Sequence, residues 1–167
     1  MDAATAADED IIADLRAHLE AGGTLGEWSE VGPSELAAAH ALAHYFYGLD
    51  QYDTAAQLFL WLIAMAPHDR QYQLGIAAVR KMQGRYVEAV DYYIAALALD
   101  VEDASAAFYL AECLLHLGLR DQARDMFEMS IHYAQPDQAE MRKKALAFLT
   151  LLGAQPAAGS AANGGRS

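Results

Sequence analysis

Cysteine is nearly absent from this 167-residue chain, where Cys113 stands alone. One thiol cannot close an intrachain disulfide or supply the CxxC pairs of a zinc ribbon, and a reducing compartment is expected. Positive charge is scarce as well. Eleven Lys and Arg face 23 Asp and Glu, for a formal net charge of −12. Such a surface lacks the cations that displace counterions along a nucleic-acid backbone or dock on anionic lipid. Long apolar runs are missing too. The longest, Leu58 to Ala66, is stopped by Pro67. A membrane span needs about 20 residues, so this run reads as a buried helix and no membrane insertion is expected. The first fourteen residues hold Asp2, Asp8, Glu9, Asp10 and Asp14 without a Lys or Arg, the reverse of a signal peptide. The expectation is a soluble intracellular protein. Val and Ile are few and no stretch alternates apolar with polar residues, so essentially no sheet is expected.

Several chemistries lack their signatures. No HExxH, GxSxG, GxGxxG or GxxxxGK pattern occurs, and the glycines of Ala21–Glu27 form no phosphate loop. His40 and His44 have the i, i+4 spacing of a helical zinc chelate, but no third ligand accompanies them. Cys113 has no evident base and reads as a small buried hydrophobe. No catalytic residue, metal site or cofactor is expected, and the chain does not read as an enzyme.

What the sequence does have is a repeat. Shifted by 34 residues it matches itself twice. Ala43, Ala77 and Ala111 coincide, as do Ala55, Ala89 and Ala123, and the aromatics Phe59, Tyr93 and Phe127. Asp69, Asp103 and Asp137 share a column, Leu42, Ile76 and Leu110 another, and Tyr52 falls on Tyr86 with Arg120 as the exception. Each unit holds two apolar-periodic stretches around a short break, at Asp50-Gln51, Gly84-Arg85 and Gly118-Leu119. That is a helical hairpin. The alanines mark close helix crossings, the aromatics fill the gap to the next hairpin, and each Asp is a candidate N-cap for the helix that follows. Pro67 and Pro136 mark exits from the first and third units.

Units 36–69, 70–103 and 104–137 resemble tetratricopeptide repeats, whose period is 34. The fold expected is all-α: three tetratricopeptide-like hairpins stacked as a short right-handed superhelix, between an N-terminal helix and a C-terminal capping helix. In the N-terminal part, 8–35, the helix runs from Asp8 to Ala21 with Ile11, Ile12, Leu15 and Leu19 on one face. That face has no place in a three-repeat stack and is the candidate dimer interface. The capping helix, 138–153, is expected to turn Leu146, Leu149 and Leu152 to the core. Residues 1–7 and 154–167 lack large apolar side chains and are expected to be disordered.

Across 9–152 the chain also resembles the class II chaperones of bacterial type III secretion, which hold translocator proteins before export. The resemblance is carried by the amphipathic helix before the repeats, the Gly23-Thr24-Leu25 linker, the 69–86 segment and "AAFYLAECLLHLG" at 106–118. It implies a cytoplasmic bacterial homodimer that binds an extended N-terminal segment of a translocator. For some members it also implies action with a transcriptional activator.

The groove can be placed from the repeat itself. In a curved stack the first helix of each unit lines the inside. With Leu42, Ile76 and Leu110 and their neighbouring alanines assigned to the core, the remaining face carries His40, His44 and Tyr47. The shift of 34 gives Leu74, Ala78 and Lys81, then Phe108, Glu112 and Leu115. Gln71 and Ser105, one turn earlier, complete the expected peptide-binding set.

Overall fold

The computed structural model describes residues 13–29 and 31–154. Both expected disordered ends lie outside them, apart from Ala154, and so do Ile11 and Ile12 of the candidate dimer face. Within the described residues every regular element is helical. We number these α1 (13–20), α2 (Leu25–Trp28), α3 (Pro33–Gly48), α4 (Tyr52–Met65), α5 (Arg70–Met82), α6 (Tyr86–Leu99), α7 (Ala104–His116), α8 (Arg120–Tyr133) and α9 (Ala139–Ala154). A 3-10 turn at Pro136–Gln138 precedes α9. The chain divides into two compact units, one ending at Glu102 and one beginning at Asp103.

The first unit holds two hairpins, α3–α4 and α5–α6, with α4 packed on α5. Its core joins Ala43, Ala55, Phe59, Leu62, Tyr72, Ile76 and Val79. The hairpin turns need a left-handed residue, supplied by Gly84 at φ 72° but by Asp50 at φ 58°. Asp50 offsets part of that strain locally, since Tyr52 Oη donates to its Oδ1 at 2.6 Å. Asp69 caps α5 by accepting from Gln71 N at 2.9 Å. An ion pair of 2.6 Å from Arg70 to Asp100 ties the start of α5 to the end of α6.

Before the first hairpin, the stretch read as a linker contains the short helix α2. Thr24 and Glu27 close a reciprocal capping box around its first turn. Trp28 Nε1 donates to Asp14 Oδ2 at 2.8 Å and so ties α2 back to α1. Gly26 packs α2 on the end of α4, since a Cβ there would lie 2.4 Å from the Met65 carbonyl oxygen.

The second unit is the α7–α8 hairpin with α9 packed on α8. Asp103 caps α7 with bonds of 3.0 and 2.9 Å from the amides of Ser105 and Ala106. The left-handed turn residue is Gly118, at φ 76°. Asp137 does not cap α9: it lies inside the 3-10 turn, whose N-cap is Gln135.

Two core assignments need correction. Leu42 is 44% exposed. Its counterpart Ile76 packs against the preceding hairpin, whereas no repeat hairpin precedes α3: the described residues before it form α1 and four-residue α2, and α2 packs on α4. Leu146 is 51% exposed, while Ala145 and Leu152 are buried. Phe148 stacks on Phe127 with centroids 4.8 Å apart and planes 9° from parallel. The buried face of α9 is therefore Ala145–Phe148–Leu152.

Candidate functional site

In the first unit, α3 and α5 position seven of the expected groove residues. Gly32 caps α3 with Pro33 in its first turn, a start whose fixed φ suits a helix. One face of α3 then presents His40, His44 and Tyr47. The two imidazoles meet edge to face at 4.6 Å, and one Nε2 donates to the other across 3.0 Å. Beneath them lies an aromatic floor. Phe59 of α4 is 6.0 Å from the His40 ring and 5.4 Å from that of His44, and Tyr72 of α5 is 5.2 Å from His40. The Tyr47 ring sits 5.7 Å from Tyr52. On α5, Leu74, Ala78 and Lys81 are half-buried and Gln71 is exposed.

The electrostatics of this face favour a neutral imidazole at His44. Burial, and then the neighbouring His40, hold His44 below the ordinary histidine value. Burial, and then the Asp69 charge, push Tyr72 up, so its hydroxyl stays protonated. A neutral pair sharing one Nε2–H keeps one Nδ1 as an acceptor and the other as an N–H donor. An extended peptide offers the complementary C=O and N–H groups. The surface is thus apolar and aromatic with paired hydrogen-bonding capacity. Among the described residues, no group of three or more His, Cys, Asp or Glu is arranged to hold a metal ion.

The second unit presents its own strip on α7. Glu112 and Leu115 are half-buried, and Ser105 Oγ accepts from Gln138 Nε2 at 3.0 Å. Phe108 is different: it is 3% exposed, with ring centroids 5.6 Å from Phe127 and 6.3 Å from Phe148. It belongs to the core beneath α9 and is not an open groove anchor. The sequence could not show this, because Phe148 stands outside the 34-residue period.

Tetratricopeptide repeat models match residues 40–98 and 82–152. The Aeromonas hydrophila type III secretion system complex superposes with TM-score 0.79, at 27% identity over 84% of this chain and 95% of that one. PcrH from Pseudomonas aeruginosa superposes with TM-score 0.71, at 28% identity over 74% of this chain and 96% of its own. PcrH has been crystallised in complex with the chaperone-binding regions of PopD and PopB. The chain is a tetratricopeptide-repeat protein, and it is similar to the translocator chaperones of type III secretion. Low calcium response locus protein H of Yersinia pestis is 29% identical over 104 residues, and the match spans 62% of each chain.

In this tetratricopeptide-repeat protein, three residues outside the expected set shape the candidate site. Phe59 and Tyr72 form its floor, and Gly75 lets that floor form. A Cβ on Gly75 would lie 2.1 Å from the Phe59 ring. The repeat puts Phe59 in a packing column, and nothing in that column tells that its ring reaches the histidines. Gly75 is a glycine in mid-helix, which is itself a sign of close approach.

Proposed function

We propose that this chaperone binds hydrophobic translocator proteins of a type III secretion system in the bacterial cytoplasm and keeps them soluble and secretion-competent. It acts by binding alone, as a non-enzyme. The face of α3 and α5 takes an extended segment from the translocator N-terminus, with Tyr47 and Leu74 as apolar anchors and the imidazole pair facing its backbone. The observation that carries this reading is PcrH, 28% identical and crystallised with the chaperone-binding region of PopD. The aromatic, half-exposed lining of α3 and α5 supports it. Among the described residues no helix is long and apolar enough to cross a membrane.

An extended peptide rises about 3.3 Å per residue, so six to eight residues span about 20–26 Å and touch neighbouring helices. Buried apolar anchors dominate such binding. Tyr47→Ala and Leu74→Ala should each weaken binding at least about tenfold, equal to about 1.4 kcal/mol. Helical content should stay near wild type, and Arg124→Ala should change little. The measurement is calorimetric titration with the N-terminal segment of the translocator from the same organism, alongside circular dichroism. Unchanged affinity in both folded variants moves the site off α3 and α5.

The chaperone also forms a homodimer in this reading, through the apolar face of the N-terminal helix. Leu19 is 46% exposed and Leu15 half-buried. Sedimentation of the full chain against a chain starting at Trp28 tests it. Full-length protein that runs as a monomer at tens of micromolar sinks the dimer.

A further inference from the structure

Nearly every cation in the described residues has a partner. Arg16 pairs with Glu20, Arg70 with Asp100, Arg80 and Arg85 with Glu88, and Arg124 with Asp121. Lys81 and Arg120 are engaged as well. The exceptions are consecutive: Arg142, Lys143 and Lys144, all exposed near the start of α9. Beyond them on the same helix, Leu146 is 51% and Leu151 64% exposed. The last helix of a repeat stack normally turns a polar outer face to water. The outer face of α9 sets cations beside leucines instead. A complementary partner is acidic and carries large apolar side chains among its acids.

The chain contains one such segment. Residues 1–20 hold six acids, Asp2, Asp8, Glu9, Asp10, Asp14 and Glu20, against the single cation Arg16. Interleaved with them are Ile11, Ile12, Leu15 and Leu19. We propose that the outer face of α9 is the docking surface for the acidic amino-terminal segment of a second copy of this chain. Arg142, Lys143 and Lys144 meet its carboxylates, and Leu146 and Leu151 meet its apolar side chains. Each copy carries both patches, so a reciprocal contact uses each of them once. The proposal rests on the homodimer reading and names the surface that receives the N-terminal face.

The test is sedimentation velocity on the full chain. Because opposite charges are screened by salt, raising NaCl from about 50 mM to about 500 mM should weaken the dimer at least about tenfold. At low salt the triple variant Arg142→Glu, Lys143→Glu, Lys144→Glu should weaken it by a similar factor. Adding Asp8→Lys, Glu9→Lys and Asp10→Lys to that variant should restore it. A wild-type dimer indifferent to salt and to the triple reversal overturns the α9 surface and leaves the homodimer standing. A wild-type monomer at tens of micromolar overturns both. A triple variant that dimerises normally but loses translocator binding assigns the surface to cargo and overturns the proposal. Should the triple variant fail to fold by circular dichroism, the wild-type salt series still decides.

Discussion

Gly75→Ala sets two physical effects against each other. Gly75 lies inside α5, where glycine costs about 1 kcal/mol relative to alanine. Propensity alone therefore expects the substitution to stabilise. Packing expects the opposite. The new Cβ would stand 2.1 Å from one Phe59 ring carbon and 2.5 Å from two others, whereas carbon atoms rest at about 3.5–4.0 Å. The ring has little room to retreat, because Phe59 is buried within the core cluster and both imidazoles lie over it. Overpacking of this kind costs about 1–3 kcal/mol and sometimes more. With contacts this short we take the upper end, and about 2 kcal/mol of destabilisation remains after the helical gain. Urea unfolding should show a lower midpoint with an unchanged slope. Gly48→Ala is the control: Gly48 is exposed at the end of α3 and a Cβ there meets nothing within 4 Å, so stability should hold or rise slightly. A Gly75→Ala protein as stable as wild type would refute the close approach of Phe59 to α5, and with it the floor of the site.

Ala89→Leu should destabilise by about 1–3 kcal/mol, since Ala89 is fully buried at a helix crossing; an unchanged thermal midpoint would place that column at the surface. Asp50→Gly should relieve about 1 kcal/mol of left-handed backbone strain and remove the acceptor that, more than any other cause, pushes Tyr52 up to about 12. NMR titration of the variant should find Tyr52 ionising closer to its ordinary value of 10.0, and a resonance still titrating near 12 would break the assignment. His44 carries the pH dependence. Its native pKa lies below the ordinary 6.5 because burial, and then His40, disfavour its charged form. The unfolded chain therefore takes up the proton first. Stability is intact above about pH 6.5 and declines as the pH falls from there toward the lowered native value. In His44→Gln the urea midpoint should vary less between about pH 7.5 and 5.5, and an undiminished slope would refute the assignment.

How far the sequence could be read depended on whether a residue's neighbours repeat with it. Ala43, Ala77 and Ala111 sit in one column and all are buried, because each meets a helix of its own hairpin and every unit carries that helix. Phe59, Tyr93 and Phe127 are buried for the same reason. Leu42 shares a column with Ile76, yet its burial needs a repeat hairpin in front of it, and α3 follows α1 and the four-residue α2 instead. The capping box that starts α2 was present as Thr24 and Glu27, a local signal independent of any period.

The capping helix shows the second limit, which is geometric. Leu146, Leu149 and Leu152 are spaced by threes, and at 100° per residue the outer two end about 120° apart around the axis. With Leu152 buried, Leu149 lies about 60° from it and is half-buried, and Leu146 lies about 120° away and is exposed. Ala145, Phe148 and Leu152, at i, i+3 and i+7, stay on one side. Ala145 lets α9 approach α8, and Phe148 stacks on Phe127. That stacking also buries Phe108, so one shift in the phase of α9 both removes an expected groove anchor and turns Leu146 outward beside Lys143. The burial of Phe108 and the exposure of Leu146 are therefore linked through the same helix. Phe148→Ala would loosen the cover over Phe108 and the helix that carries the cations. It should lower stability by about 3–5 kcal/mol, the range for truncating a packed phenylalanine, and a loss below about 1 kcal/mol in urea unfolding would mean that α9 does not close the core of the second unit.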